Sequence, residues 1–228
     1  MGKILRDIYS DISISSKLGF KGGTCAYFFY NLTRFSVDLD FDLLDPTEAN
    51  QQLVFTKVEK IVEKYGIVKD KATKYFTIFF LLSYGQEDRN IKVEINTRPV
   101  DVNPREHYEM KDFLGVPVLV AKPEYAFANK LVALTERREM APRDIYDIYF
   151  FAKNNWSFDK EAIECRVKKT TPEHLRDCID LISNVKDSEI MGGLGELVNE
   201  KEKTWIKTSL RAETIFFLKN YLAAITRQ

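Results

Sequence analysis

Residues able to do sulfur or imidazole chemistry are scarce in this chain. Its 228 residues include three cysteines, Cys25, Cys165 and Cys178, with no CxxC pair among them. An odd, scattered set argues against a disulfide framework or a thiolate zinc site and fits a reducing compartment, so a cytoplasmic location is expected. Histidine occurs twice, as His107 and His174, which leaves little material for an imidazole metal centre or a Cys–His dyad. Neither sign of charge is in excess. Lys plus Arg and Asp plus Glu both number 34, for a formal net charge of zero, so any nucleic-acid binding must come from a local patch. The N-terminal segment MGKILRDIYSDISISSKLGF has acidic residues and no apolar stretch of the kind a signal peptide needs. The most apolar run, YFTIFFLLSY, is about half the length of a membrane-spanning helix. No membrane partner is expected.

What remains is ample for a core. Apolar residues make up 45% of the chain and aromatic residues 13%, which excludes a disordered polymer and allows one large domain or two small ones. Apolar positions at Ile4, Ile8 and Ile12 predict an opening helix over residues 3 to 18. GFKGG reads as a short strand and turn, and TCAYFFYNL as a buried helix with Thr24 near its start. SVDLDFDLL alternates Val37, Leu39, Phe41 and Leu43 against Ser36, Asp38, Asp40 and Asp42, the pattern of a strand with one polar face. Pro46 opens a helix that runs to about Tyr65 and ends at Gly66. KYFTIFFLLSY and IKVEINTR, joined by GQEDRN, predict a hairpin, and GVPVLV a last strand. From Pro123 the segments PEYAFANKLVALTERR, PRDIYDIYFFAKNN, TPEHLRDCIDLISNV and SLRAETIFFLKNYLAAI all read as helices. The expected class is α+β: a small mixed β-sheet core with flanking helices over residues 1–120, then a helical domain over residues 121–228.

Alternate residues of a strand project from the same face, so Asp38 and Asp40 point together with Asp42 next in line. Neighbouring carboxylates repel unless a cation lies between them, and hard oxygen donors of this kind suit Mg²⁺ or Mn²⁺. Two such ions about 3.5–4 Å apart can activate a hydroxyl and stabilise a departing pyrophosphate. A third acid is expected on a neighbouring strand. Glu94, flanked by Val93 and Ile95, qualifies if those two face the core. Upstream, Gly22 and Gly23 allow close backbone approach to a phosphate, and Thr24 at a helix N-terminus adds a hydroxyl and N–H groups.

Taken together, KGGTCAYFFYNLTRFSVDLDF resembles the nucleotidyltransferase superfamily signature, and more closely the first motif of the AbiEii/MenT-type nucleotidyltransferase toxins, KGGT…R-x-S-x-D-x-D. NKLVALTERR is similar to that family's second motif, KLxAxxxR, and supplies Lys130 and Arg137. PRDIYDIYF is similar to its third, (R)DxxDxxxL, and supplies Arg143, Asp144 and Asp147, with Phe151 where the family often has Leu. The resemblance covers residue 20 to about residue 151.

The same residues have a reading of their own. Lys130, Leu134 and Arg137 share a helical stripe. Lys130 can hold a triphosphate as a point charge, while Arg137 can reach a phosphate or a structural acid. Asp144 and Asp147 fall in the first turn of a helix, where they complement its dipole. Asp147, set among Ile145, Tyr146 and Ile148, can instead pair inward with Lys130 or contact a nucleotide. Arg34 can touch a phosphate or a nearby acid. Ser36 is expected to share a face with Asp38, so that phosphorylating it would set about two negative charges beside the metal site.

The resemblance implies Mg²⁺- or Mn²⁺-dependent transfer of a nucleoside monophosphate from an NTP to a hydroxyl, with Asp38, Asp40, Glu94, Lys130 and Asp147 as catalytic residues. Gly22, Gly23, Thr24, Arg34, Ser36, Lys130, Arg137, Arg143 and Asp144 are the expected nucleotide contacts. It further implies a toxin of a toxin–antitoxin or phage-defence pair, with an RNA end such as tRNA as acceptor and a cognate antitoxin as partner. Nucleotidylation of a small molecule such as an antibiotic, and an NTP-binding regulator without turnover, are the alternatives. An RNA would need a cationic surface. One candidate is Arg34, Lys130, Arg137, Arg138 and Arg143, and another is RVKK at 166–169 with Lys153 and Lys160.

Overall fold

The computed structural model describes residues 1–85, 90–99, 104–137 and 139–227. These form two compact units. One comprises Met1–Asn31 and Ser36–Lys122, the other Leu32–Phe35 and Pro123–Gln228.

The first unit is built on a seven-stranded mixed sheet. Its strands are β1 (Leu18–Lys21), β2 (Asp38–Leu43), β3 (Ile67–Lys74), β4 (Thr77–Ser83), β5 (Asn90–Asn96), β6 (Tyr108–Phe113) and β7 (Val116–Ala121), in the spatial order β3-β4-β5-β2-β1-β7-β6. The pairs β3–β4, β4–β5, β1–β2 and β6–β7 are antiparallel, whereas β2–β5 and β1–β7 are parallel. Three helices accompany it: α1 (Gly2–Ser10), α2 (Gly22–Phe29) and α3 (Glu48–Val62). Ile4, Leu5 and Ile8 of α1 join Val54 and Val58 of α3, and Leu39, Phe41, Val93 and Ile95 of the sheet, in one buried core. Burial alternates along β5, with Ile91, Val93 and Ile95 in the core and Lys92, Glu94 and Asn96 on the other side. The opposite face of β2 carries Asp38, Asp40 and Asp42. That alternation is the physical origin of a polar patch in the middle of an apolar sheet.

The second unit is helical, with α4 (Pro123–Glu136), α5 (Pro142–Lys153), α6 (Lys160–Val167), α7 (Thr171–Ser183), α8 (Glu200–Trp205) and α9 (Arg211–Thr226). A five-residue π-helical segment, Ile206–Leu210, joins α8 to α9. Phe127, Leu131, Ile145, Ile148, Phe151, Leu175 and Leu218 are fully buried. Phe151 stacks on Trp156 with ring centroids 4.4 Å apart.

The α+β class and the helical C-terminal half are as expected, while several boundaries differ. The opening helix stops at Ser10 rather than near residue 18. Ile12, expected on its apolar stripe, is 91% exposed, and a short 3₁₀ turn at Ser15–Lys17 leads into β1. Asp11 ends the helix by folding its carboxylate onto the Ser13 N–H and hydroxyl, a local bond that competes with helix continuation. β2 begins at Asp38, so Ser36 and Val37 precede the ladder and Ser36 shares no strand face with Asp38. β3 and β6 are strands that the pattern did not announce. β3 is a polar edge strand, IVKDKATK, and β6, YEMKDF, is the other edge. Edge strands bury few side chains and so lose the apolar signal. α6 and α8 are short helices capped by Asp159 and Asn199, likewise absent from the expected set. Within the expected GQEDRN hairpin loop, residues 86–89 lie outside the described residues, as does Arg138 of the expected cationic surface.

Candidate functional site

In the first unit, parallel pairing of β2 and β5 sets Asp40 opposite Glu94 and Asp38 opposite Lys92. Glu94 therefore stands on the same face as the two aspartates. Lys92 Nζ lies 3.0 Å from Glu94 Oε2 and 3.8 Å from Asp38 Oδ2. Burial works against its charge. The charge of Asp38, the hydrogen bond to Glu94 and the charges of Glu94 and Asp40 together outweigh burial, and the lysine pKa is raised. Lys92 is not among the residues that the motifs pick out. The period-two alternation that placed Glu94 would also have placed Lys92, two residues before it.

Asp42, the third aspartate of the strand, has a different environment. It is buried and accepts hydrogen bonds from Lys21 Nζ at 2.5 Å, Asn96 Nδ2 at 2.7 Å and Tyr108 OH at 2.6 Å. Burial would raise its pKa, but the charge of Lys21 and these three hydrogen bonds hold it below the usual carboxylate range. All three donors come from within the fold, so Asp42 braces β2 against its neighbours.

The glycine turn meets this face directly. Gly22 opens α2 with φ +82°, and a Cβ placed there would lie 2.2 Å from Asp40 Oδ2. Only glycine satisfies both the left-handed backbone and that approach. Lys21, the residue preceding the helix, gives α2 no side-chain cap, and the first N–H groups of a helix attract anions. Thr24 is fully buried, and its hydroxyl donates to the Asp38 carbonyl oxygen, tying the first turn of α2 to the start of β2.

Donor chemistry fits a hard divalent cation, since Asp38, Asp40 and Glu94 offer oxygen only. A cation is already called for at this point, because the Lys92 ammonium bridges two of the three acids. Among the described residues no group of three or more His, Cys, Asp or Glu is placed to hold a metal ion.

The remaining motif residues belong to the second unit and form a buried ion network. Arg34 is 2% exposed and grips Asp147 with both arms of its guanidinium, Nε to Oδ1 at 2.6 Å and a terminal nitrogen to Oδ2 at 2.7 Å. Lys130 Nζ lies 2.8 Å from Asp144 Oδ1 and 2.8 Å from Asp147 Oδ2. Arg137 Nε stands 2.7 Å from Asp144 Oδ2. Pro142 starts α5 so that both aspartates fall on its inward side. Burial opposes ionisation of Asp147, but the charges of Arg34 and Lys130 outweigh it and hold the carboxyl below its usual range. The pKa values of Arg34 and Lys130 are raised. For each, burial is the largest influence and acts against the charge, and the aspartates prevail. Three cations against two anions leave the network with one net positive charge. Arg143, the residue before Asp144 on α5, is half-buried.

In the RVKK patch, Arg166 pairs with Glu136 through two nitrogens, Lys169 pairs with Asp177, and Lys168 ends α6 in the left-handed conformation. His174 and Cys178 stand one turn apart on α7, with sulfur 3.7 Å from Nε2. Burial pushes the Cys178 thiol up to about 12 and depresses the imidazole. This Cys–His contact is therefore a neutral piece of core, with no thiolate for nucleophilic chemistry. Among the described residues no helix is long and apolar enough to cross a membrane.

Residues 3–213 match the model of the family described as nucleotidyl transferase AbiEii toxin, type IV TA system. Two solved structures from Helicobacter pylori are similar. One, assigned to the nucleotidyltransferases, is 19% identical over 96% of this chain and 93% of its own, with a TM-score of 0.56. The other, JHP933, is 19% identical over 99% of this chain and 93% of its own, with a TM-score of 0.55. At that identity the likeness establishes the fold. No curated protein sequence matches the chain.

Proposed function

Because the chain belongs to the AbiEii nucleotidyl transferase toxin family of type IV toxin–antitoxin systems, we propose that it moves a nucleoside monophosphate from an NTP to an acceptor hydroxyl, and that the face of Asp38, Asp40 and Glu94 is where this happens. The contact between Gly22 and Asp40 carries the proposal. It sets an uncapped helix N-terminus, suited to phosphate, against a carboxylate, a residue that phosphate would repel unless a cation were shared between them.

In the proposed reaction the acceptor oxygen bonds to the α-phosphorus as the bond to the β-phosphate oxygen breaks. Pyrophosphate departs, and the hydroxyl proton passes to a carboxylate oxygen of the same face. Asp38, Asp40 and Glu94 would hold Mg²⁺ or Mn²⁺, which when bound polarises the phosphate and neutralises the charge of the leaving group. The N–H groups of Gly22 and Gly23 orient the phosphate chain. Thr24 keeps that turn fixed to β2. Lys92 yields its place among the acids as substrate arrives. In the second unit, the net positive charge of the network supports the assignment of Lys130 and Arg137 to phosphate recognition, with Asp144, Asp147 and the buried Arg34 holding them in position. We assign Arg143 to the nucleotide as well. The acceptor is inferred to be an RNA end such as tRNA, and the partner an antitoxin.

The test is incubation of the protein with each α-labelled NTP, Mg²⁺ and total cellular RNA, followed by separation of RNA from small molecules. Label in an RNA band supports the reading. Label confined to a small-molecule fraction moves the acceptor to that class, and no label with any NTP refutes transfer.

A further inference from the structure

Besides the motif residues, the second unit contains a cavity of about 480 Å³ between α5 and α8, within the range of ligand pockets. We propose that it binds a nucleotide unit, with the base stacked on its aromatic wall and the phosphate held at its rim.

The wall consists of Tyr146, Tyr149 and Phe150 from α5 and Trp205 from α8. The polar ends of three groups here are already engaged. The Trp205 indole N–H donates to Glu213 at 2.9 Å. Tyr146 OH donates to Glu202 Oε1 at 2.8 Å and lies 2.7 Å from the Thr33 hydroxyl. The other carboxylate oxygen of Glu202 accepts the Asn199 N–H at 3.1 Å, closing the capping box that starts α8. The Tyr146 and Trp205 rings are therefore fixed in advance, and the half-buried rings of Trp205 and Phe150 are what the cavity offers for stacking. Faces of fixed rings stack any base irrespective of its sequence. Tyr149 and Trp205 pack against each other, with ring centroids 4.5 Å apart at a 45° tilt, so Tyr149 backs the Trp205 ring.

Charge at the rim fits the same ligand. Lys153 and Lys201 line the cavity and are both exposed. Lys153 Nζ stands 5.4 Å above the Tyr149 ring, so it is held over the aromatic wall. Against these two cations stands Glu202, whose oxygens are both occupied by donors.

The π-helical segment Ile206–Leu210 is a second, independent feature. In an unbroken α-helix, positions eight apart differ by about 80° around the axis. One extra residue in the turn reduces the offset to about 20°, which brings Trp205 onto the face of Glu213 and sets the indole edge. A π turn costs helix stability and is concentrated at functional sites. Here it positions the ring that lines the cavity.

The choice of a nucleotide over other planar anions rests on the transfer reading, and the experiment separates the two. The chain has two tryptophans, so the Trp156→Phe chain leaves Trp205 as sole reporter. In EDTA, this chain is titrated with 5′-monophosphates and with a three-residue single-stranded RNA while indole fluorescence is followed. Saturable quenching is expected. Phe150→Ala should weaken it about tenfold or more, as loss of one stacking ring does. Lys153→Ala with Lys201→Ala should weaken it about tenfold and flatten the log–log salt slope for RNA by about 1.4, with unfolding midpoints unchanged. A trinucleotide that binds more tightly than the monophosphates assigns the cavity to an RNA strand, and equal affinities assign it to a free nucleotide. The Asp40→Ala chain should lose transfer yet quench normally, so failure of the transfer reading leaves the cavity result standing. Absence of saturable quenching with every probe, or quenching that neither substitution weakens, overturns the proposal.

Discussion

Replacing Asp147 by alanine removes the centre of the buried network. Its carboxylate takes two charge-assisted hydrogen bonds from Arg34 and one contact from Lys130, and it is fully buried. Arg34, 2% exposed, would be left charged in the interior beside the Phe35 carbonyl, 3.0 Å from a terminal nitrogen. Lys130 would keep Asp144, which limits the damage to about one uncompensated charge. Breaking a buried pair from one side costs about 3–5 kcal/mol. For a chain of this size that lowers the melting temperature by about 6–20 °C. Urea unfolding read by circular dichroism measures it. The double replacement Arg34→Met with Asp147→Leu should recover most of the loss, since it removes both charges and fills the volume. The pH dependence gives a further check. The Asp147 pKa is lowered on folding, so its contribution is present above the unfolded value of about 3.9 and lost as pH falls through the folded value. The stability gap between wild type and Asp147→Ala should therefore be constant from pH 5 to 8, as this group goes, and narrow only below about pH 4. A single replacement costing less than about 1 kcal/mol, or a double replacement costing the sum of two singles, would refute the account.

Asp38→Asn and Asp40→Asn should each reduce transfer at least about 10³-fold while leaving the unfolding midpoint within about 0.5 kcal/mol, because half-exposed carboxylates contribute little to the core. Turnover near wild type in either would remove the metal assignment. Lys92→Met should tighten Mn²⁺ binding several-fold in a titration followed by paramagnetic resonance, since the ammonium no longer competes for Asp38 and Glu94. Weaker binding would show that Lys92 supports the site instead. Gly22→Ala should both destabilise the protein by about 1–3 kcal/mol and depress transfer, because the methyl meets Asp40 Oδ2 and the backbone at φ +82° strains any side chain. A neutral outcome in a melting assay would contradict the contact.

Much of the first unit was legible because its strands alternate. Val93 and Ile95 face the core, so Glu94 had to face away from it, and two-residue spacing did the same for Asp38 and Asp40. The sequence could not reveal which aspartate is committed elsewhere. Asp42 looks identical to its neighbours along the strand, and its three donors, Lys21, Asn96 and Tyr108, come from β1, β5 and β6. Pairing across a sheet is decided by topology, which the local pattern does not contain. The edge strands β3 and β6 escaped for the same reason, as polar segments whose strand state depends on a neighbour. In the second unit, helical spacing announced α4, α5, α7 and α9, and the third motif marked Asp147. Its bidentate grip on Arg34, from a segment more than a hundred residues earlier, has no local signal. The π turn after Trp205 had none either, and the helical reading began only at Ser209, inside that turn.

The strand order has a consequence for when the molecule becomes able to act. β3–β4, β4–β5 and β6–β7 join strands adjacent in the chain, and such hairpins close quickly. β2 meets β5 in parallel only across α3 and the β3–β4 hairpin, and β1 meets β7 only across nearly the whole unit. Loop closure delays contacts of this kind. Asp40 and Glu94 come together at that slow joint, so the acidic face is assembled among the last contacts of the sheet. A nascent chain lacking β5 holds the complete first motif and still has no Glu94 beside it. On the proposed reading, synthesis and folding thereby impose a delay between making the chain and completing the face at which it would act.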